Sequence, residues 1–256
     1  MRENMKYSIK NTPLYSYLRK LFRRTSNLGE AHRKLHNANT LFYTLSPMLL
    51  VALNKAFHIQ QELKISGEGG SNLLDGHAYY EFGLFKGFSF WFAEQISRDI
   101  VGSDFKFYGF DSFEGLPESK IDKHRYLVKG NYAASYEFVL DSLKANEADF
   151  LKIKLYKGFY SKVFFDNLQN NKFLPISICV IDSDIYESCV EILEFIKNHM
   201  VKGSILIFDD YNSFGKDDQH GERRALREFE MRNPAFKKEH LFDFGWHGVA
   251  FRVLQV

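Results

Sequence analysis

Two stretches of the chain end in clustered carboxylates. Ile181-Asp182-Ser183-Asp184 closes the apolar run ISICVID (176–182), and Phe208-Asp209-Asp210-Tyr211 closes GSILIFD (203–209). If the two runs are neighbouring strands, they lie about 4.8 Å apart, and Asp182, Asp209 and Asp210 converge on one point. Carboxylates that close repel unless a proton or a cation stands between them. Hard oxygen donors without His or Cys favour Mg²⁺, with Mn²⁺ or Ca²⁺ behind it. Such acids also cap helices and turns, but four at two strand ends exceed what capping needs.

Two further motifs end apolar runs. In Glu81-Phe-Gly83-Leu-Phe-Lys-Gly87 a glycine directly after a strand lets backbone approach a ligand closely. Glu81 is placed to hold a cationic group such as an α-amino group, or to sit in the field of a sulfonium. Gly83 and Gly87 do not make GxGxxG, which argues against a dinucleotide pyrophosphate on the helix N-terminus. In Phe110-Asp111-Ser112-Phe113-Glu114-Gly115, an acid ending the second strand can accept from ribose hydroxyls. The competing structural role for Asp111 is to cap its own turn.

The elements that must position these groups follow from periodicity. From His77 onward short apolar runs (77–83, 105–111, 150–158, 176–182, 203–209) alternate with helical patterns (88–98, 135–145, 188–199, 223–231), and FGWHGVAFRVLQV closes the chain as strand. Strand–helix alternation with continuous apolar strands predicts an α/β fold, a doubly wound, mostly parallel, Rossmann-like sheet. Ligands of such sheets bind at the strands' carboxyl ends, where every acid and glycine above sits. Residues 1–66 read as a basic helical extension, with a helix start at Ser46-Pro47, followed by a turn-rich linker. Residues 77–256 read as the ligand-binding domain.

Composition narrows the function classes. A net charge of +2 gives no basic footprint for nucleic acid over the whole chain. Residues 1–40 carry nine Lys or Arg against two acids, and Tyr15, Leu18 and Phe22 among them suggest an amphipathic helix. That helix is expected to pack on the domain or a second subunit, with peripheral membrane contact as the lesser alternative. His32 and His36 lack a third ligand and read as surface residues. Cys179 and Cys189 have no metal or disulfide spacing, and the longest apolar stretch is too short to span a bilayer, so a soluble cytoplasmic protein is expected.

YGFDSFEGLPE (108–118), IDSDIYES (181–188), GSILIFDDY (203–211) and GERRALREF (221–229) together resemble the macrocin O-methyltransferase family. The resemblance implies the class I methyltransferase fold, S-adenosylmethionine as cofactor, Mg²⁺, and a sugar hydroxyl of a small molecule as acceptor. On its motifs, Glu81, Gly83 and Gly87 match the first cofactor turn, Asp111 and Ser112 the ribose and adenosine region, and Gly158 a turn near the adenine. Asp182, Asp209 and Asp210 match the metal ligands and Asp184 the general base. The chain departs from the family at Ser183 and Phe88, where glycine is usual. The resemblance also implies a homo-oligomer.

In an in-line displacement the sulfonium is already activated, so the protein must position the acceptor and raise its nucleophilicity. Asp184 is the expected proton acceptor, with His247 as a second candidate base, and Tyr186 and Tyr211 are candidate walls of the acceptor pocket. The rival readings are a metal-dependent catechol or phenol O-methyltransferase, a nucleotide-sugar or dinucleotide enzyme, and a non-catalytic Rossmann-like binding domain.

Overall fold

The structure, a computed structural model, describes residues 46–66 and 72–256. The basic helix expected in the first 40 residues, with His32 and His36, lies outside the described residues. The elements are α1 (Pro47–Ser66), β1 (Ala78–Phe82), α2 (Phe88–Ser97), β2 (Lys106–Asp111), α3 (Tyr136–Ala145), β3 (Ile153–Lys157), α4 (Lys162–Asn167), β4 (Ile176–Ile181), α5 (Tyr186–Ile196), β5 (Ile205–Phe208), α6 (Gly221–Arg232), β6 (Lys237–Phe244) and β7 (Gly248–Gln255).

The seven strands form one sheet in the order β3-β2-β1-β4-β5-β7-β6. Strands β1 to β5 run parallel, and β7 lies antiparallel between β5 and β6. Every residue of β1, β4 and β5 is buried. Central strands covered on both faces bury each side chain, which explains their unbroken apolar runs. One face carries much of the chain's Phe content. Phe82 stacks on Phe110 at 4.5 Å and Phe165 on Phe195 at 4.4 Å, with Tyr80 and Phe173 beside them.

Two elements escape the periodicity argument. Strand β6 (KKEHLFDF) is an edge strand in which charge alternates with half-buried positions, so it carries no apolar run. Helix α4 has only six residues and starts on the Ser161 hydroxyl, which accepts from the Phe164 amide at 3.2 Å.

Helix α1 corrects the domain boundary drawn at residue 66. It belongs to the same compact unit as the sheet. Leu49, Leu53, Ala56 and Phe57 are buried, Phe57 stacks on Tyr79 at 6.1 Å, and Gln60 Nε2 donates to the Ser177 and Gly203 carbonyls at 3.0 Å each. A helix with that much apolar surface must bury it on the sheet.

The helices behind β4 and β5 start without a cap from their own preceding residues, Ile185 and His220. Asp122 serves both. Its Oδ2 accepts from the Tyr186 amide at 2.6 Å and its Oδ1 from the Gly221 amide at 3.2 Å, while the residue itself is buried. One carboxylate thus compensates two helix N-termini and fixes their spacing. Asp122→Ala is expected to lose on the order of 2 kcal/mol in urea unfolding. Asp122→Asn, with a single acceptor oxygen, should lose about half as much; an Ala variant as stable as the parent would exclude the double cap.

Candidate active site

Strand order reverses between β1 and β4, and the loops leaving β1, β2, β4 and β5 open there onto one cavity of about 250 Å³. Gly83, Asp111, Asp182 and Asp209 stand at the four strand ends lining it. Gly83 has φ +90°, and a Cβ on it would lie 1.8 Å from the Asp182 carbonyl oxygen. Only glycine allows β1 to end this close to β4.

Asp111 brackets two loops. Its Oδ2 accepts from the Leu84 and Phe85 amides at 2.6 and 3.1 Å, and its Oδ1 from the Phe113 amide at 2.6 Å. Turn-capping and lining the cavity are therefore both true of this residue, and the three amides leave part of the carboxylate's accepting capacity for a ligand. Ser112 accepts from the Glu114 amide and donates to the Gly115 carbonyl, closing the next turn. Gly158 also lines the cavity, and a Cβ there would strike the Phe164 ring at 2.4 Å. Gly87, at φ +79°, begins α2.

Glu81 differs from the expectation of a ligand-facing carboxylate. It lies beneath the cavity, fully buried, and accepts from the Tyr79 hydroxyl and from Ser89 Oγ at 2.5 Å. Burial pushes its pKa up to about 8, so it is largely a neutral acid at pH 7.

On the opposite wall, carboxylate oxygens of Asp182, Asp184 and Asp210 come within 4.8 Å of one another. Asp209, expected in this set, stands beside it. Its Oδ1 accepts from Ser46 Oγ at 2.8 Å, and Ser213 Oγ holds Asp210 Oδ1 in the same manner. Asp184 enters the trio because its φ of +60° turns the loop inward. Burial, and then the charges of the neighbouring carboxylates, raise Asp182 and Asp184 well above the carboxylate range. A hydrogen bond to Asp210 raises Asp184 further, and burial followed by the charge of Asp210 raises Asp209 to about 7. The cluster therefore retains protons near neutrality.

Glu222, in the first turn of α6, joins the two acidic loops. Fully buried, it accepts from the Ser183 amide at 3.3 Å through Oε1 and from the Asp210 amide at 3.1 Å through Oε2. Sequence reasoning gave neither Glu222 nor Ser46 a place in the site: Glu222 was read only as part of the motif GERRALREF and Ser46 only as a helix start, and Ser46 acts across 163 positions of chain.

His247 lines the cavity, and its Nδ1 bonds the Asp209 carbonyl. A carbonyl only accepts, so Nδ1 carries a proton, and in the neutral ring the lone pair is on Nε2. Tyr186 and Tyr211 do not wall the cavity. The Tyr186 hydroxyl donates to Glu228 at 2.6 Å and its ring lies under Arg224, while Tyr211 packs on Phe208 and Phe251. Phe85, Phe88, Tyr132, Phe159 and Tyr160 supply the aromatic lining instead.

A seven-stranded sheet of this order, with an antiparallel β7 and a glycine turn after β1, is the class I methyltransferase fold. Three solved structures share it: the calicheamicin methyltransferase CalS11 (TM-score 0.64, 22% identity, 96% of this chain and 93% of that one), the O-methyltransferase NovP (0.61, 17%, 80% of each), and the O-methyltransferase TomG from Streptomyces achromogenes, involved in tomaymycin synthesis and solved with S-adenosylmethionine (0.54, 12%, 91% of each). Residues 72–253 match the macrocin O-methyltransferase (TylF) family, and the chain belongs to that family. A curated relative, the 8-demethyl-8-(2,3-dimethoxy-α-L-rhamnosyl)-tetracenomycin-C 4′-O-methyltransferase of Streptomyces olivaceus, is 26% identical over 134 residues. The match covers 51% of this chain and spans about half the length of that relative (51%).

Two outcomes follow from the buried acids. Glu222→Ala, which strips two loop amides of their acceptor, should lose on the order of 2 kcal/mol in urea unfolding; Glu222→Gln, keeping one acceptor, should fall between, and an Ala variant as stable as the parent would exclude the clamp. Glu81 is protonated when folded and ionises near 4.5 when unfolded, so its contribution to stability is full below that pH and declines until about pH 8. Unfolding at a series of pH values should show this decline between pH 4.5 and 8, and Glu81→Gln should make it shallower.

Proposed function

We propose that this protein is an S-adenosylmethionine-dependent, Mg²⁺-dependent O-methyltransferase acting on a hydroxyl of a sugar or glycosylated small molecule. The observation that carries the reading is the convergence of the half-buried carboxylates of Asp182, Asp184 and Asp210, with buried Asp209 beside them, across the cavity from the glycine turn after β1. Family membership, and a curated relative whose name specifies a rhamnosyl acceptor, support the sugar.

The residues fit the groups they would hold. Asp182, Asp209 and Asp210 are fixed by paired backbone, since Ile181 and Phe208, the last residues of their strands, are in register immediately before them. They would hold the cation through hard oxygens. The buried Ser183 hydroxyl has no partner among the described residues, as expected beside a site for a hydrated ion. Gly83, Gly87, Asp111, Ser112 and Gly158 would hold the cofactor's methionine and adenosine parts, with Glu81 supporting the turn through Ser89. When bound, the cation supplies charge that acidifies the acceptor hydroxyl, and the cofactor a methyl group already activated as a sulfonium.

Asp184 takes the acceptor's proton at its carboxylate. It sits on a loop rather than a strand end, with a carboxylate oxygen within 4.8 Å of those of Asp182 and Asp210, and a bound cation would displace the proton it retains and leave it free to act as the base. His247 Nε2 is the alternative acceptor. Tyr132, raised by burial and then by the charges of Asp184, Asp210 and Asp182, flanks the same point. Among the described residues no helix is long and apolar enough to cross a membrane. Free, buried Cys179 and Cys189 fit a cytoplasmic enzyme.

The test pairs binding with turnover. Calorimetry should show S-adenosylhomocysteine binding with or without Mg²⁺, while methyl transfer to sugar acceptors should stop in EDTA. Asp209→Asn should lose metal affinity. Asp184→Asn should keep it and lose kcat by a factor on the order of 10² or more. Metal affinity lost in Asp184→Asn would make Asp184 a ligand and His247 the base; transfer to catechols alone would replace the sugar reading.

A further inference from the structure

The loop between β2 and α3 lines the cavity at both ends, through Leu116 and Pro117 on the way out and Tyr132 on the way back. Backbone bonds close its neck: Leu116 N to Asn131 O and Gly130 N to Leu116 O, both 2.9 Å. Its inner side is anchored. Asp122 caps α5 and α6, and Glu187 accepts from Ser119 Oγ and from the Lys120 and Ile121 amides. Its outer side faces solvent, held in shape by Asn131 Nδ2 on the Tyr126 carbonyl at 3.0 Å and a turn from His124 O to Leu127 N at 3.0 Å.

That ordered outer side carries an unusual set of groups. Lys120-Ile-Asp-Lys123-His124-Arg125-Tyr126-Leu-Val-Lys129 places four Lys or Arg and a His in ten residues, against Asp122, whose carboxylate is turned inward. All five basic residues are exposed. The Arg125 guanidinium lies 4.5 Å from the Tyr126 ring centroid, and that ring is 51% exposed. No carboxylate pairs with Lys120, His124, Arg125 or Lys129 among the described residues. Lys129 precedes Tyr132, on the cavity wall, by three residues, and the backbone bonds at the neck lie between them. Glu118, two residues before the stretch, is an exposed acid.

Charge is thus segregated across one site. The floor concentrates carboxylates, which repel an anion; the rim beside Tyr132 concentrates unpaired cations and an exposed aromatic ring. Guanidinium and ammonium groups together suit phosphate oxygens, and a stacked guanidinium is pre-oriented for them. We propose that the Lys120–Lys129 loop is a diphosphate-binding rim, so that the acceptor is a sugar carried on a diphosphate rather than a neutral glycoside. This rests on the sugar-methyltransferase reading above: the sugar hydroxyl reaches the carboxylate floor while the diphosphate stays on the rim. A nucleotide-linked and a lipid-linked sugar present the same diphosphate.

The test uses the full chain loaded with S-adenosylhomocysteine and no added divalent metal. Inorganic pyrophosphate is titrated calorimetrically into the parent, into Arg125→Ala/Lys129→Ala, and into a control with exposed Lys154 on β3 changed to Ala. The expected result is salt-sensitive binding weakened at least tenfold in the double variant and unchanged in the control. Equal binding in parent and double variant, or none in the parent, overturns the rim. Failure to bind S-adenosylhomocysteine would instead strike the methyltransferase reading, and the pyrophosphate titration of the unloaded chain still decides the rim. UDP and geranyl diphosphate run as further probes: tighter binding of the first assigns a nucleotide carrier, of the second a lipid carrier, and either supports the subsite. With a diphosphate-linked acceptor, the double variant should raise KM at least tenfold and leave kcat within twofold; a fall in kcat at unchanged KM would contradict a binding role.

Discussion

Asp182, Asp184, Asp209 and Asp210 crowd the loops that leave two adjacent strands, and the repulsion among them governs what the surrounding structure must do. Buried carboxylates that near one another separate, take up protons or gather a cation. Separation is blocked. The register of β4 on β5 holds the strand ends together, and Glu222 bonds the backbone of both loops at once. The serines at 46 and 213 each restrain one oxygen of Asp209 and Asp210. What remains is protonation, seen in the raised pKa values of Asp182, Asp184 and Asp209, or a cation.

The same packing ties the acids to the other half of the cavity. Gly83 rests against the Asp182 carbonyl, so the turn after β1 cannot move without moving the acidic wall. Asp111 carries that constraint onward by holding the β1 and β2 loops to each other. A methyl donor on one wall and an acceptor oxygen on the other would then be set at a separation decided by backbone contacts rather than by flexible side chains, which is what in-line transfer requires.

Much of this was legible in the chain itself, because it depends on local signals. Continuous apolar runs ending in Asp or Gly identify the central strands and the face on which the site opens, and three of the four family motifs span those ends, the fourth (221–229) lying on α6. Other features depend on contacts distant in sequence. Glu222 and Asp122 are single acids in polar surroundings, and their roles exist only once α5 and α6 are brought together. Strand β6 hides because an edge strand has charge where a central one has Val or Ile. Glu81 was read as facing a ligand because it precedes the glycine turn, but strand alternation turns it toward Tyr79 and Ser89. Tyr186 and Tyr211 lie next to the acids in sequence, and the start of α5 and the packing on β7 direct them elsewhere.

The account stands most directly on whether the acidic wall exchanges protons for a metal ion. Mg²⁺ titrated calorimetrically into the protein loaded with S-adenosylhomocysteine, near pH 6.5 in buffers of differing ionisation enthalpy, reports affinity and proton release together. One site with release of at least about half a proton per ion, abolished in Asp182→Asn, is the predicted result. Absence of Mg²⁺ binding by the folded protein, or binding unaffected by Asp182→Asn, would contradict it.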